Sequence, residues 1–234
     1  MQHLKIIVFD WDGTLMDSEA AIVAAMSQAY CDEHVPAPSY GAIRAIIGLG
    51  LIESISLLTP ALSSEAATRV ERNYRRHYIA QRTVPALFPR VRATLIELRQ
   101  SGYLIAVATG KSASGLQRAI DETDLDDLFA TTRTADLTEP KPSPTMLYEI
   151  MWELNAEPQE TLMIGDTEYD LAMAQSAGTH RAGVSYGTHP VSRLLSYDPA
   201  FVLDHFGDLP SKLRNLTETR AKLCGTRVNS NDIR

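Results

Sequence analysis

The sequence predicts an α/β fold: a parallel sheet with helices on both faces, interrupted once near its start by an all-helical insertion. Three observations carry this expectation. A β-branched apolar run, Ile6-Ile7-Val8-Phe9, leads straight into Asp10-Trp11-Asp12-Gly13-Thr14, the pattern of a strand covered on both faces that ends in polar chemistry. From about residue 90 onward, helical and strand periodicities alternate, as βαβ units require. Between these regions the apolar residues recur only at helical spacing.

In chain order, the first strand is expected over residues 4 to 9. After Asp17-Ser18, the positions Ala21, Ile22, Ala25, Met26 and Ala29 mark a helix. Pro36-Ala37-Pro38, Gly48-Leu49-Gly50 and Thr59-Pro60 then cut the chain into short helices that end in an amphipathic stretch from Ser63 to Gln81. The pattern changes across Thr83-Val84-Pro85 to Phe88-Pro89. A helix from Arg90 to Gln100, a turn at Gly102 and a strand from Tyr103 to Ala108 follow. Further strands are expected at Phe129-Ala130-Thr131, Thr161 to Ile164, Arg181 to Val184 and Phe201 to Leu203. The expected division is a core of residues 1–17 and 83–216, an insertion over 18–82 and a polar tail over 217–234, frayed or weakly docked.

A chain of 234 residues with 44% hydrophobic and 22% charged residues can bury a full core. Its net charge of −7 speaks against a nucleic-acid partner and fits ordinary solubility. No apolar run approaches membrane-spanning length, and the residues after Lys5 lack a cleavage site of the secretory kind. Cys31 and Cys224 are isolated and far apart, which points to reduced thiols and a cytoplasmic protein.

Open α/β sheets bind ligands beyond the carboxyl ends of their strands. Alternation along the chain lets Asp10 and Asp12 reach one crevice, while Gly13 allows a tight backbone turn. Two unpaired acids repel, so a cation such as Mg²⁺ is the natural third party. The strand Leu104 to Ala108 ends in Thr109-Gly110-Lys111-Ser112, where a hydroxyl and backbone N–H groups at a helix start can hold a phosphate oxygen. This is not a P-loop, which needs glycine where the chain has Ile105. Thr109 taken alone is a weak signal that reads first as a helix cap. Lys141 stands among Pro140, Pro142 and Pro144, a stiff mount just before a helix. In Gly165-Asp166-Thr167-Glu168-Tyr169-Asp170, Asp166 reads as a site acid or an N-cap, and Asp170 as a site acid or an exposed first-turn residue. Their conjunction favours a site: Asp10, Asp12, Thr109, Lys141 and Asp166 each follow a strand or a stiffened helix start, and such ends share one crevice.

This ordered set resembles the haloacid dehalogenase-like hydrolase superfamily, whose four motifs match as Asp10-Trp11-Asp12-Gly13-Thr14, Thr109, Lys141, and Gly165-Asp166 with Asp170. The likeness spans nearly the whole chain and implies a Rossmann-like core with the 18–82 segment as a C1-type cap. It also implies a mechanism. Asp10 attacks phosphorus to give an aspartyl-phosphate, and Asp12 serves as general acid and base. Thr109, Gly110 and Lys141 bind the phosphoryl group, and Mg²⁺ is held by Asp10, the backbone carbonyl of Asp12, Asp166 and Asp170, the last directly or through water. Trp11 departs from the leucine common in the family and is expected to point away from the acids.

Dehalogenase members of that superfamily lack the second motif acid, so with Asp12 present the resemblance implies no carbon–halogen cleavage. Phosphonoacetaldehyde hydrolases place a Schiff-base lysine in the cap, and residues 6 to 110 contain no lysine, so the resemblance does not extend to that chemistry. Within the superfamily, the loop Ile47 to Ser54 looks most like that of phosphoglycolate phosphatases. Arg44, the basic residue near Gly48-Leu49-Gly50, is expected either to read a substrate's acidic tail, such as that of 2-phosphoglycolate, or to lie at the surface. Arg69, Arg72, Arg75, Arg76 and Arg82 read as a solvated helix face. The expected partner is a small phosphate ester, without nucleic acid or membrane, acting on a monomer or weak homodimer. The alternatives are a sugar phosphomutase, a sugar or nucleotide monophosphatase, and, from another class, a non-catalytic regulatory or binding module. The complete set of chemical groups stands against the last.

Overall fold

Six parallel strands form one sheet in the computed structural model, which describes residues 4–81 and 85–215. Arg82 and the polar tail from Thr217 onward lie outside the described residues. The strands are β1 (Ile6–Phe9), β2 (Leu104–Thr109), β3 (Thr131–Thr134), β4 (Thr161–Gly165), β5 (His180–Val184) and β6 (Val202–Leu203), in the spatial order β3-β2-β1-β4-β5-β6. Ile6 pairs with Leu104 on one side and Thr161 on the other, so β1 is central. The order runs outward from β1 in both directions, which opens the crevice at its carboxyl end.

The apolar character of β1 follows from two covered faces. Ile7 and Phe9 join a cluster with Val91, Leu95 and Leu98 of helix α5 (Val91–Gln100) and Leu116 and Ile120 of α6 (Ala113–Thr123). Ile6 and Val8 join the opposite cluster with Met146 and Ile150 of α7 (Thr145–Glu153) and Met173 and Ala174 of α8 (Glu168–Ala177). Trp11 continues the face of Phe9, where its indole N–H donates to Met16 Sδ at 3.3 Å and its ring meets Phe129.

Four helices fill the segment between β1 and α5: α1 (Glu19–Asp32), α2 (Tyr40–Arg44), α3 (Leu51–Leu58) and α4 (Ser64–Ile79). They share an apolar cluster of their own that includes Met26, Tyr30, Ile43, Ile55 and Val70. Ion pairs Arg69–Glu33 and Arg76–Asp32 also join α4 to α1. Those pairs are solvent-facing and screened, so the apolar cluster carries the packing.

Most strand expectations agree with the structure to within two residues, and β3 is the exception. It begins at Thr131, whereas the sequence pattern placed a strand over Phe129 to Thr131. Phe129 packs against Trp11 before the chain enters the sheet, so its apolar signal belongs to the approach.

Candidate active site

Asp10 directly follows β1, and its backbone N–H donates to Ile164 O, extending the pairing with β4 by one step. Its side chain is buried. Asp10 Oδ1 accepts a hydrogen bond from Lys141 Nζ at 2.6 Å. The same ammonium lies 2.7 Å from Asp170 Oδ1, close in charge but not aligned as a hydrogen bond. Asp166, directly after β4, is fully buried. Its Oδ1 accepts from Thr14 Oγ1 at 3.1 Å, and its Oδ2 accepts from the Thr188 N–H at 2.7 Å and Oγ1 at 2.8 Å. Gly13 has φ of +84°, and a Cβ there would lie 2.3 Å from Asp166 Oδ2, so both conformation and space require glycine.

The structure decides how the acids after β4 are used. The N-cap of α8 is Thr167, not Asp166. Asp170 is no exposed first-turn residue: it is buried, and its Oδ2 accepts from the Thr167 N–H and hydroxyl in a capping box. That box leaves Oδ1 turned toward Lys141.

Asp10, Asp166 and Asp170 each offer an oxygen within 4.8 Å of the others. Like charges at that spacing repel by roughly 3 kcal/mol per pair at an effective dielectric of about 20, and one ammonium cannot offset three carboxylates. Burial pushes the Asp10 carboxyl well above its ordinary range despite the counter-pull of Lys141, with Asp170 and Asp166 adding to the rise. Burial and then Asp170 push Asp166 up to about 6. Burial works against the charge on Lys141, but Asp10 and Asp170 outweigh it and raise its pKa. Asp10 Oδ2 is buried without any hydrogen-bond partner. An all-oxygen cluster with excess negative charge and an orphaned oxygen fits a hard divalent cation.

This electrostatic state sets a stability prediction. Because Asp166 has a folded-state pKa above its ordinary 3.8, the metal-free protein binds the extra proton and loses stability as pH rises from there through about 6. A divalent cation offsets the charge that appears over that window. Mg²⁺ is therefore expected to raise the melting temperature more at about pH 7.5 than at about pH 5. An equal or larger rise at the lower pH contradicts it.

Asp12 stands apart from this cluster. Its Oδ1 accepts from Ser18 Oγ and pairs with Lys111 Nζ at 2.9 Å. Asp10 and Asp12 are thus not two unpaired acids awaiting a shared cation; each already faces its own lysine. The Asp12 carboxylate turns to the cavity above the sheet instead, and of the residues expected to bind metal it is the one whose side chain lies outside the cluster.

Thr109 ends β2, buried, and its hydroxyl accepts from the Lys111 N–H at 3.1 Å. Gly110 sits beneath the helical segment: a Cβ there would lie 2.4 Å from Leu49 O. Lys111, not among the expected site residues, reaches Asp12 and also lies over the Tyr78 ring at 4.8 Å from its centroid. Its position two residues after Thr109 was the available signal. Thr188, some twenty residues beyond the last motif, carried no such signal.

Arg44 departs from the expected role of reading a substrate's tail. Its Nε donates to both carboxylate oxygens of Glu19 at 3.0 Å, its Nη2 donates to Gly187 O, and it does not line the cavity. Arg44→Ala is accordingly expected to lower kcat/KM for 2-phosphoglycolate and p-nitrophenyl phosphate by the same factor, within about threefold, since only a solvent-facing pair and the bond to Gly187 O are lost. A loss confined to 2-phosphoglycolate contradicts this. Arg75, expected on a solvated helix face, instead lines the cavity and donates to Ser112 Oγ at 2.9 Å.

Residues 7–184 match the family described as haloacid dehalogenase-like hydrolase. The chain belongs to that family. Over 209 residues it is 34% identical to the probable phosphatase IndB of Dickeya dadantii, covering 87% of this chain and 91% of that one. It is 28% identical over 223 residues to phosphoglycolate phosphatase of Vibrio cholerae, covering 89% and 96%. Among solved structures, one titled a predicted phosphoglycolate phosphatase, from Haemophilus somnus, superposes with a TM-score of 0.80 at 27% identity, covering 90% of this chain and 98% of that one. Family and relatives together make this haloacid dehalogenase-like hydrolase a phosphoric monoester hydrolase. Among its described residues no helix is long and apolar enough to cross a membrane.

Proposed function

We propose that this hydrolase is a Mg²⁺-dependent phosphatase that cleaves a small phosphate monoester through an aspartyl-phosphate on Asp10. The observation that carries the reading is the Asp10 carboxylate itself: buried at the end of the central strand, held by Lys141 through one oxygen and unpartnered at the other. Unpartnered buried oxygens are costly and rare, and a nucleophile that must meet an electrophile is a physical reason for one.

Uncatalysed phosphate monoester hydrolysis is among the slowest of reactions, with accelerations up to ~10²¹, so several groups must act together. Asp10 attacks phosphorus; the new bond forms as the ester P–O bond breaks. Asp12 gives its proton to the departing oxygen, then takes one from the water that attacks the same phosphorus, releasing phosphate and restoring Asp10. Thr109 and the backbone of Gly110 bind phosphoryl oxygens, and Lys141 offsets the charge of Asp10 as it meets an anion. Ser18 and Lys111 hold the Asp12 carboxyl group in place. Asp166 and Asp170, with Asp10 and the carbonyl of Asp12, are the groups that would hold Mg²⁺, which when bound supplies the positive charge the cluster lacks. The exposed Cys31 thiol suits a reducing, cytoplasmic setting.

Chelation tests the metal. EDTA is expected to abolish hydrolysis of p-nitrophenyl phosphate, and excess Mg²⁺ to restore it. Ca²⁺ is expected to restore little, because its larger and more flexible shell alters the nucleophile's approach. Full turnover in metal-free buffer contradicts the proposal.

A further inference from the structure

We propose that the leaving group accepted by this site is uncharged and carries an apolar planar ring of about benzene's size, rather than a carboxylate or a second phosphate. This rests on the phosphatase function proposed above and names its substrate class. The cavity over Asp10, Asp12 and Thr109 measures about 220 Å³. From the helical segment it is lined by Ile22, Met26, Ile46, Leu51 and the ring of Tyr78, with polar side chains such as Ser54 and Ser112 at intervals among them. The first three of these are buried, so the wall is part of the packed structure and not an open surface.

Charge decides against an acidic tail. Among the described residues, the cations lining the cavity are Arg75, Lys111 and Arg118. Each already has a carboxylate: Arg75 pairs with Glu71 at 2.8 Å, Lys111 with Asp12 at 2.9 Å and Arg118 with Glu122 at 2.7 Å. Arg44 is held by Glu19 outside the cavity. Among the described residues, a carboxylate or phosphate tail would meet no lining cation that lacks a carboxylate beside it, and an anion in a largely apolar space without a partner of its own is disfavoured.

Size and shape indicate the ring. An apolar cavity of about 150 Å³ holds benzene, so about 220 Å³ accommodates a ring together with part of the phosphoryl group. The two-carbon tail of phosphoglycolate would leave most of that wall uncovered. Tyr74 and Tyr78, with ring centroids 5.9 Å apart, present aromatic surface to the same space, and aromatic groups pair favourably at such spacing.

The test compares monoesters of alcohols with similar basicity, so that leaving-group reactivity does not decide the outcome. With Mg²⁺ present, kcat/KM for benzyl phosphate is expected to exceed that for 2-phosphoglycolate and for the para-carboxylate of benzyl phosphate by at least about tenfold. Leu51→Arg, a half-buried position that tolerates a long side chain, is expected to narrow both gaps by placing an unpaired cation on the wall. Met26→Ala is expected to raise KM for benzyl phosphate by a larger factor than KM for methyl phosphate. Turnover of 2-phosphoglycolate equal to or above that of benzyl phosphate, with p-nitrophenyl phosphate still hydrolysed, overturns the inference and leaves the phosphatase function standing. Absence of p-nitrophenyl phosphate hydrolysis overturns both.

Discussion

Asp10→Asn is expected to lower kcat on p-nitrophenyl phosphate by at least about 10⁴-fold, the scale seen when a covalent nucleophile is removed. The amide keeps the shape of the carboxylate but cannot form the phosphoryl bond. Folding should survive, because the change also removes one of three mutually repelling buried carboxylates. Lys141 keeps Asp170 as its partner at 2.7 Å. In metal-free buffer the variant should therefore melt no lower than the parent protein. Turnover within about tenfold of the parent would remove Asp10 from the role of nucleophile.

Lys141→Met should damage both chemistry and stability. Its ammonium is buried between Asp10 and Asp170, at 2.6 and 2.7 Å. Removing one member of a buried ion pair typically costs about 3–5 kcal/mol, because the surviving charge has no partner. Here two carboxylates are left facing each other, so the upper part of that range is expected in metal-free denaturant titrations. Losing a donor to the developing phosphoryl charge should lower kcat by about 10²–10³-fold even where Mg²⁺ restores folding. A stable Lys141→Met protein with kcat within about threefold of the parent would show that Lys141 is structural only.

Much of the architecture could be read from the chain because a parallel strand covered on both faces leaves a plain mark. Ile6 to Phe9 is apolar without alternation since Ile7 and Phe9 face one layer of helices and Ile6 and Val8 the other. The acids that follow such a strand break the pattern at the place where the crevice opens. Other features depended on contacts that periodicity cannot report. Helical spacing places Asp170 in the first turn of α8 but does not say whether that turn meets solvent or Lys141. The face of α4 that carries Arg75 looks solvated in one dimension, and only the approach of Ser112, 37 residues away, encloses it. Arg44 looked free because its partner Glu19 lies 25 residues earlier, on another helix. Lys111 was hidden differently: Gly110-Lys111-Ser112 follows a strand as a P-loop does without being one, and only the fold shows that this lysine turns to Asp12.

The aspartyl-phosphate on Asp10 is tested most directly by trapping it. Asp12→Ala should slow hydrolysis of the intermediate more than its formation when the substrate is radiolabelled p-nitrophenyl phosphate, whose leaving group needs no proton. Acid quench of that variant with Mg²⁺ is expected to leave hydroxylamine-labile label on the peptide containing Asp10, and none when Asp10 is also changed to Asn. Label on another residue, or phosphate released with no labelled protein at any time, would contradict the mechanism.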